Sequence, residues 1–425
     1  MFKNGWKCAT AAAALAIGAG WAIPAHATTG YFENGIDAES KGEAGIGVSS
    51  SDGVMAAAYN PALGNKVGNS AGACLSFFMP HRSDTNSGGV LGAFGADVAN
   101  GTFTSGEELF EVPCLGANFK TDDKGTLSVL LYAAGGMNTH YNTSPFAGFG
   151  LINNPATPAG VDLEQVFVQP SYSRDVGHGI TLGGGPLLAA QRFMAQGLQA
   201  FDNSTNSSNP GHVTNNGYDY SFGGGIKFGA TWDPVEWATL GVSYQTRTWM
   251  SNFHKYAGLF ADGGSFDIPA AVTEGITLRP IKTVDVSLEH EHIFYGDVAA
   301  IANSGQAGLL GTSNGKGFGW EDMDVYRIGG QWQALEQLKL RAGYSYNSMF
   351  TKGSQAMFNI LAPATPTQHA SIGATYDITP AWDVTVGYTH AFSKTLNGWN
   401  QNDATQSIKL RMDQDDVAIG FKYKW

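Results

Sequence analysis

The sequence predicts an all-β fold: a 14-stranded antiparallel transmembrane β-barrel with an N-terminal plug inside its lumen. Three observations predict it. Apolar and polar residues alternate with period two through most of the chain, often in runs longer than the ~5–6 residues of a soluble strand. Aromatic residues gather at both ends of the apolar faces, where a bilayer meets water. The connections between runs alternate short and long, as turns and loops do on the two sides of a membrane barrel. Composition agrees. The 425 residues include 57 glycines and 12% aromatics but only 14% charged residues, against ~25% in soluble chains. Mean hydropathy is −0.13, and no run of ~18 apolar residues occurs, so a helical membrane protein is excluded.

The elements follow in order. Lys3 and Lys7 precede an apolar stretch, Ala9 to Ile23, that ends in Ala25-His26-Ala27. A basic start, an apolar core and an A-x-A site mark residues 1–27 as a signal peptide cleaved after Ala27. The exported chain keeps Cys74 and Cys114, one possible disulfide pair. The net charge is −12 with the signal peptide included, which makes nucleic acid an unfavourable partner. Residues 28–70 break the strand pattern. Glycines divide them into short apolar pieces that end in Tyr59-Asn60-Pro61-Ala62. A fourteen-stranded barrel is too wide for side chains to fill, so this segment is expected to plug it.

Residues 71–425 carry the barrel. Strands are expected at 71–82, 112–120, 126–138, 163–176, 180–193, 217–233, 238–254, 265–279, 283–295, 323–333, 338–348, 368–377, 382–392 and 407–425. Tyr218–Trp232 shows the pattern most clearly. Tyr220, Phe222, Ile226, Phe228 and Trp232 share one face, and Asp219, Ser221, Lys227 and Thr231 share the other. Short turns at 121–124, 177–179, 234–237, 280–282, 334–337 and 379–381 alternate with long loops. The long loops are 83–111, 139–162, 194–216, 255–264, 296–322, 349–367 and 393–406.

The stretch from Thr29-Gly30-Tyr31-Phe32 through Lys41-Gly42-Glu43-Ala44-Gly45, Asp52 and Asn60-Pro61-Ala62 resembles the N-terminal hatch of the FadL/TodX family. These are outer-membrane channels for long-chain fatty acids and other hydrophobic compounds. The resemblance covers the exported chain in architecture and the hatch in motif. It implies fourteen strands, the number already reached from the alternation. It also implies capture of ligand by outer loops, a shift of the hatch at Asn60, Pro61 and Ala62, and sideways release near a kinked third strand. Adjacent glycines allow a bulge there, and here they are Gly135 and Gly136. The aromatic end, Trp425, resembles the terminal signal read by the barrel assembly machinery.

The candidate site follows from what a path for apolar solutes needs. Its outer loops carry Phe146, Phe149, Leu151 and Ile152, then Met194, Leu198 and Phe201, with Leu259, Phe260, Leu309, Leu310, Met357, Phe358, Ile360 and Leu361 further on. So many large apolar side chains in loops suggest ligand capture, or a cap packed on itself. Met194–Phe201 is also a candidate for a turn or two of helix. For a carboxylate ligand, alternation turns Arg247, Arg327 and Arg341, with Lys227 and Lys339, toward the lumen, where carboxylates such as Asp219 and Asp383 are the expected partners. His290 and His292 share a strand face but show no third ligand, so they are placed at the membrane interface and no metal or other cofactor is expected. A Cys74–Cys114 bridge is expected if the first two strands pair in suitable register.

The reading is a passive channel, not an enzyme, in the outer membrane of a Gram-negative bacterium, most simply a monomer. Its partners would be hydrophobic small molecules, lipopolysaccharide and outer-membrane lipid. Aromatic hydrocarbon or alkane uptake is the first alternative, and an adhesin or receptor acting through its loops the second.

Overall fold

The computed structural model describes residues 29–90, 96–147, 149 and 157–425. The signal-peptide reading of 1–27, and Leu151 and Ile152 of the capture loops, lie outside the described residues. Fourteen long strands form one closed antiparallel sheet: β1 (Ser70–Gly88), β2 (Phe110–Lys120), β3 (Gly125–Tyr141), β4 (Ala159–Gly177), β5 (Ile180–Gln196), β6 (Asp219–Val235), β7 (Ala238–Gln245), β8 (Ala271–Ile281), β9 (Val284–Ile293), β10 (Met323–Leu335), β11 (Leu338–Asn347), β12 (Gln368–Thr379), β13 (Trp382–Asn400) and β14 (Asp403–Lys424). Neighbours in sequence pair with each other, and β14 closes the ring on β1, from Lys424 opposite Ser70 to Gln406 opposite Gly88. Closure removes the free sheet edges that would otherwise recruit other chains.

Alternation decides the faces. On β6, Phe222, Ile226, Phe228 and Trp232 are exposed, while Ser221 and Thr231 are buried. The outward residues make an apolar band that only lipid can satisfy. Trp232, Trp237, Trp332, Tyr376 and Trp382 lie exposed toward the short-turn end, and Tyr220, Phe222, Tyr326 and Tyr346 toward the long-loop end.

Three expectations need correction. The seventh strand ends at Gln245, not near 254, because Thr246–Thr248 oppose only two residues of β6 before Trp249–Met250 pair again at Gly223 and Gly224. That extra residue is a bulge, which changes the phase of the alternation. The eighth strand begins at Ala271 rather than 265; Thr248 and Ile268 make only an isolated bridge before it. The segment 393–406 is not a long loop either. After a bulge between Ala391 and Lys394, β13 and β14 run on together and turn only at Gln401–Asn402.

Residues 29–69 lie inside the ring, folded as short pieces: α1 (Ala38–Lys41), α2 (Ala56–Tyr59), a 3-10 turn at Pro61–Leu63, and α3 (Gly64–Val67). Helices this short leave most carbonyls without an internal partner. The wall supplies donors instead. Thr389 Oγ1 donates to Lys41 O at 2.8 Å, Asn118 Nδ2 to Val54 O at 3.0 Å, and Gln169 Nε2 to Ala57 O at 2.7 Å. Sequence pattern could not show this docking, because each donor looks like an ordinary polar residue on an inward face.

Candidate functional site

The Asn-Pro-Ala element is built into the wall. Asn60 is fully buried. Its Oδ1 accepts from Ala62 N at 3.0 Å and so caps the 3-10 turn that Pro61 begins. Its Nδ2 donates to Val48 O at 2.8 Å and to Ala230 O of β6 at 3.0 Å. A Cβ on Gly229 would lie 1.9 Å from Asn60 Oδ1, so the wall needs glycine at that point.

Charges hold two further points of the segment. Asp52 Oδ1 accepts from Arg341 Nη2 at 2.9 Å, its Oδ2 pairs with Lys339, and Lys422 Nζ donates to its backbone oxygen at 2.8 Å. Burial acts to raise the Asp52 carboxyl, but Arg341, Lys339 and Lys422 together hold it well below the usual carboxylate range. Lys41, fully enclosed, reaches Asp416 of β14 at 2.5 Å and Glu33 at 3.7 Å. Burial pushes Glu33 up to about 7 even with Lys41 beside it. A chamber between segment and wall is lined by Glu33, Lys227, Glu289, Glu291 and Arg327, and by Tyr132, Ala133, Ala134 and Phe167 on the other side.

Strand β3 carries the irregularity. Its register against β4 shifts between Ala133 and Gly135, so Ala134 is bulged out of the ladder. Gly135 sits at φ +152°, and a Cβ there would come within 2.3 Å of Tyr31 O. The next amide, Gly136 N, donates to that same oxygen at 2.9 Å. The N-terminal segment therefore occupies the bulge. On its other side β3 is paired with β2 only from Thr126–Leu131, opposite Lys120–Leu115. Among the described residues, the β2–β3 ladder stops there, although β2 continues to Phe110 and β3 to Tyr141. A gap in the ladder lies above the last pair, bridged higher up by Arg82 of β1, which donates to Asn138 O and Glu107 O, and by Gly106 N, which donates to His140 O at 2.8 Å.

Above this gap the loops enclose an apolar pocket, lined by Met137, Val161 and Phe193 of the strands and by loop residues including Leu198, Phe201, Phe260, Leu310, Phe358 and Leu361. The lining suits an apolar small molecule. Lys316 is the pocket's one charged lining residue. Its Nζ donates to the carbonyls of Ala307 at 3.3 Å and Gly308 at 3.1 Å, and burial lowers its pKa. Met137 also lines a smaller crevice with Gly30, Tyr31, Phe78 and Gly136. The pocket and the bulge are thus separated by one side chain.

The candidates drawn from sequence fall into three groups. Leu198 and Phe201 line the pocket; Phe146 and Phe149 pack behind them, with ring centroids 5.5 and 4.6 Å from Phe201. Met194 does not reach it. Strand β5 continues to Gln196, so Met194 shares the outward face with Leu188, and only Gln199–Phe201 form a helical turn. Phe193, one residue earlier, takes the inward place that the expected helix obscured. The lumen arginines are already paired with protein carboxylates: Arg247 with Asp267 at 2.7 Å, Arg327 with Glu289 at 3.0 Å and Glu291 at 2.6 Å, and Arg341 with Asp52. The expected partner Asp383 holds Lys422 and Lys424 instead, and Asp219 accepts from the Lys255 amide.

Cys74 and Cys114 stand opposite each other on β1 and β2, joined as a disulfide with Cα atoms 4.9 Å apart. His290 and His292 face outward and meet Asp324 Oδ1 at 3.0 and 2.8 Å. Among the described residues no group of His, Cys, Asp and Glu is arranged to hold a metal ion. Trp425 closes the chain with its ring 5.8 Å from Phe119. Lys316 and Tyr295 were not legible beforehand, and neither were the cationic partners of Asp52 or the occupant of the β3 bulge. Lys316 stands among glycines without periodic neighbours, and the others matter only through contacts distant in sequence.

Residues 10–424 match the family model described as outer membrane protein transport protein (OMPP1/FadL/TodX). Solved structures resemble the chain over nearly its whole length at low identity. The toluene transporter TodX of Pseudomonas putida aligns with a TM-score of 0.71 and 16% identity, covering 92% of this chain and 99% of that one. A FadL homologue of Pseudomonas aeruginosa gives 0.66 and 15%, with 93% and 99% covered. The toluene transporter TbuX of Ralstonia pickettii gives 0.61 and 16%, with 92% and 99% covered. No curated protein sequence matches the chain.

Proposed function

The chain belongs to the outer membrane protein transport family OMPP1/FadL/TodX, and from that premise we propose how it moves its cargo and what that cargo is. The family is one of outer-membrane channels for hydrophobic compounds, not of enzymes. In this chain, cargo is captured in the apolar pocket under the loops, passes Met137, displaces the hatch turn that fills the bulge at Gly135, and leaves sideways through the gap between β2 and β3. The observation that carries this reading is continuity: Met137 lines both the loop pocket and the crevice that holds Tyr31 and Gly136. No energy source is needed, since an apolar solute is moving from an outer face that excludes it toward lipid.

Long-chain fatty acids are the proposed cargo because the pocket is apolar and has one ammonium, Lys316, whose hydrogen bonds among the described residues go to two backbone carbonyls. An acyl chain would fill the apolar part, and its carboxylate would replace the two carbonyls that Lys316 now touches. The second reading is an aromatic hydrocarbon such as toluene, favoured by the description of TodX and TbuX as toluene transporters. It makes no use of Lys316.

The two readings separate in cells that lack their own transporter. Uptake of radiolabelled oleate and of toluene is measured with the wild-type chain and with Lys316→Gln. A fatty-acid channel loses oleate uptake by about tenfold in the variant, the size of one charge-assisted contact, with the folded barrel still present in the outer membrane. Toluene uptake that is unchanged by Lys316→Gln, with no oleate uptake by either form, would select the hydrocarbon reading.

A further inference from the structure

The hatch turn at the bulge is held by a phenol from an outer loop as well as by the wall amide of Gly136. Thr29 and Phe32 close a tight turn, with Thr29 N to Phe32 O at 3.0 Å and Phe32 N to Thr29 O at 3.3 Å. Tyr295 OH donates to Thr29 O at 2.6 Å and accepts from Tyr31 N at 3.2 Å. One oxygen thus satisfies a buried carbonyl and a buried amide on either side of Gly30. That residue stands at φ +71°, where a Cβ would lie 2.4 Å from the same oxygen. Another peptide oxygen of the turn, Tyr31 O, accepts from Gly136 of β3.

Tyr295 belongs to the loop that roofs the pocket. It opens the 3-10 turn Tyr295–Asp297 just after β9. The same loop supplies Ala300, Leu310, Lys316 and Phe318 to the pocket lining. Its ring is fully buried, 5.4 Å from Tyr31, 5.3 Å from Trp320 and 5.9 Å from Phe350. Trp320 in turn donates to Asn359 at 2.6 Å, beside the pocket residue Phe358. One side chain therefore joins the pocket roof to the turn that closes the wall.

We propose that Tyr295 is a positioning residue that latches the Thr29–Phe32 turn, so that occupancy of the loop pocket is felt at the β3 bulge through its hydroxyl. The proposal rests on the transport reading above for its purpose, but its test does not depend on uptake. A cargo that lifts the roof moves the Tyr295 oxygen, leaves Tyr31 N without a partner and Thr29 O with only the longer bond from Phe32 N, and frees the turn from Gly136. The segment beyond is held separately by Asn60 and Asp52, so only the first few residues need move.

Hydrogen exchange of the purified full chain tests this, read on peptides covering 29–36 and 132–141. Tyr295→Phe removes the oxygen and keeps the ring. Two buried hydrogen bonds are lost, and exchange in both peptides is expected to rise about tenfold without cargo. Phe350→Leu disturbs the same aromatic cluster without touching those bonds and should leave both peptides at the wild-type rate. Oleate or toluene should raise exchange in the wild-type chain and add little in Tyr295→Phe, since coupling through one group vanishes with it. Wild-type rates in Tyr295→Phe, an equal rise in Phe350→Leu, or no response of the wild-type chain to either probe would each overturn the latch. Absence of uptake in cells, with the exchange changes as expected, would instead overturn the transport reading and leave the latch standing.

Discussion

Asn60 uses the two ends of its amide for different tasks, and a one-atom change separates them. Its oxygen caps the Pro61–Leu63 turn, and its nitrogen ties that turn to Val48 and to β6. Asn60→Asp keeps the cap but sets a carboxylate oxygen against two carbonyls, all of them buried. Leaving two buried acceptors unpaired costs about 2–4 kcal/mol. The expected outcome is an intact barrel whose N-terminal segment is cut by protease at least tenfold faster than in the wild-type chain. Equal cutting of the two would show that the wall contacts of Asn60 do not hold the segment. This residue was legible in the sequence through the resemblance of its Asn-Pro-Ala element to the family hatch, and an asparagine before a proline is besides a helix-start signal that needs no tertiary information. Asp52 was legible only as part of a motif, since its three cationic partners come from β11 and β14. Lys316 gave no signal at all, being placed in the pocket by loop folding rather than by any period.

Alternation fixed the strands wherever it kept phase and misplaced them wherever a bulge shifted it. The ends of β2, β9, β10 and β11 fell within two residues of expectation, because a period of two is a direct statement about faces. Each of the bulges after Gln245 and Ala391 inserted one unpaired step; past the first the expected strand ran on too far, and past the second a continuing strand read as loop. The β3 bulge is different, because adjacent glycines announce it. What they cannot announce is the occupant, Tyr31, or the early end of the β2–β3 ladder. Removing Ala134 deletes the extra residue and returns β3 to register with β4. Gly135 then becomes an ordinary inward position, and the ladder between Tyr132–Thr139 and β2 is free to continue upward. With the gap zipped, uptake should fall to the background of cells without the channel, while the barrel still resists heat and detergent on a gel. Retained uptake in a folded deletion variant would mean that cargo leaves by another route, through the lumen to the short-turn end.

At the scale of the whole molecule, wall and segment are shaped to each other, and this accounts for much of the glycine content. Besides Gly229, wall glycines at Gly183, Gly241 and Gly387 leave no room for a Cβ against Pro61, Val48 and Ala38. The wall nonetheless owes little of its own assembly to the segment. Its ladder closes from β14 to β1 without it, and its outward apolar band faces lipid regardless. Deleting residues 29–68 should therefore leave a barrel that still inserts. Its lumen would be lined by Lys227, Arg327, Lys339, Arg341 and Lys422, with Asp52, Lys41 and Glu33 gone. A fourteen-stranded ring is too wide for these side chains to fill, and charged walls hold water. The deletion variant is expected to conduct small ions in planar bilayers at levels well above the intact chain and to admit small polar solutes into cells. The loops bear on the same measurement, because Phe201, Phe260 and Phe358 pack over the mouth as one apolar cap. If the variant conducts no more than the intact chain, that cap is the seal, and the segment serves to hold the bulge at β3 rather than to plug the lumen.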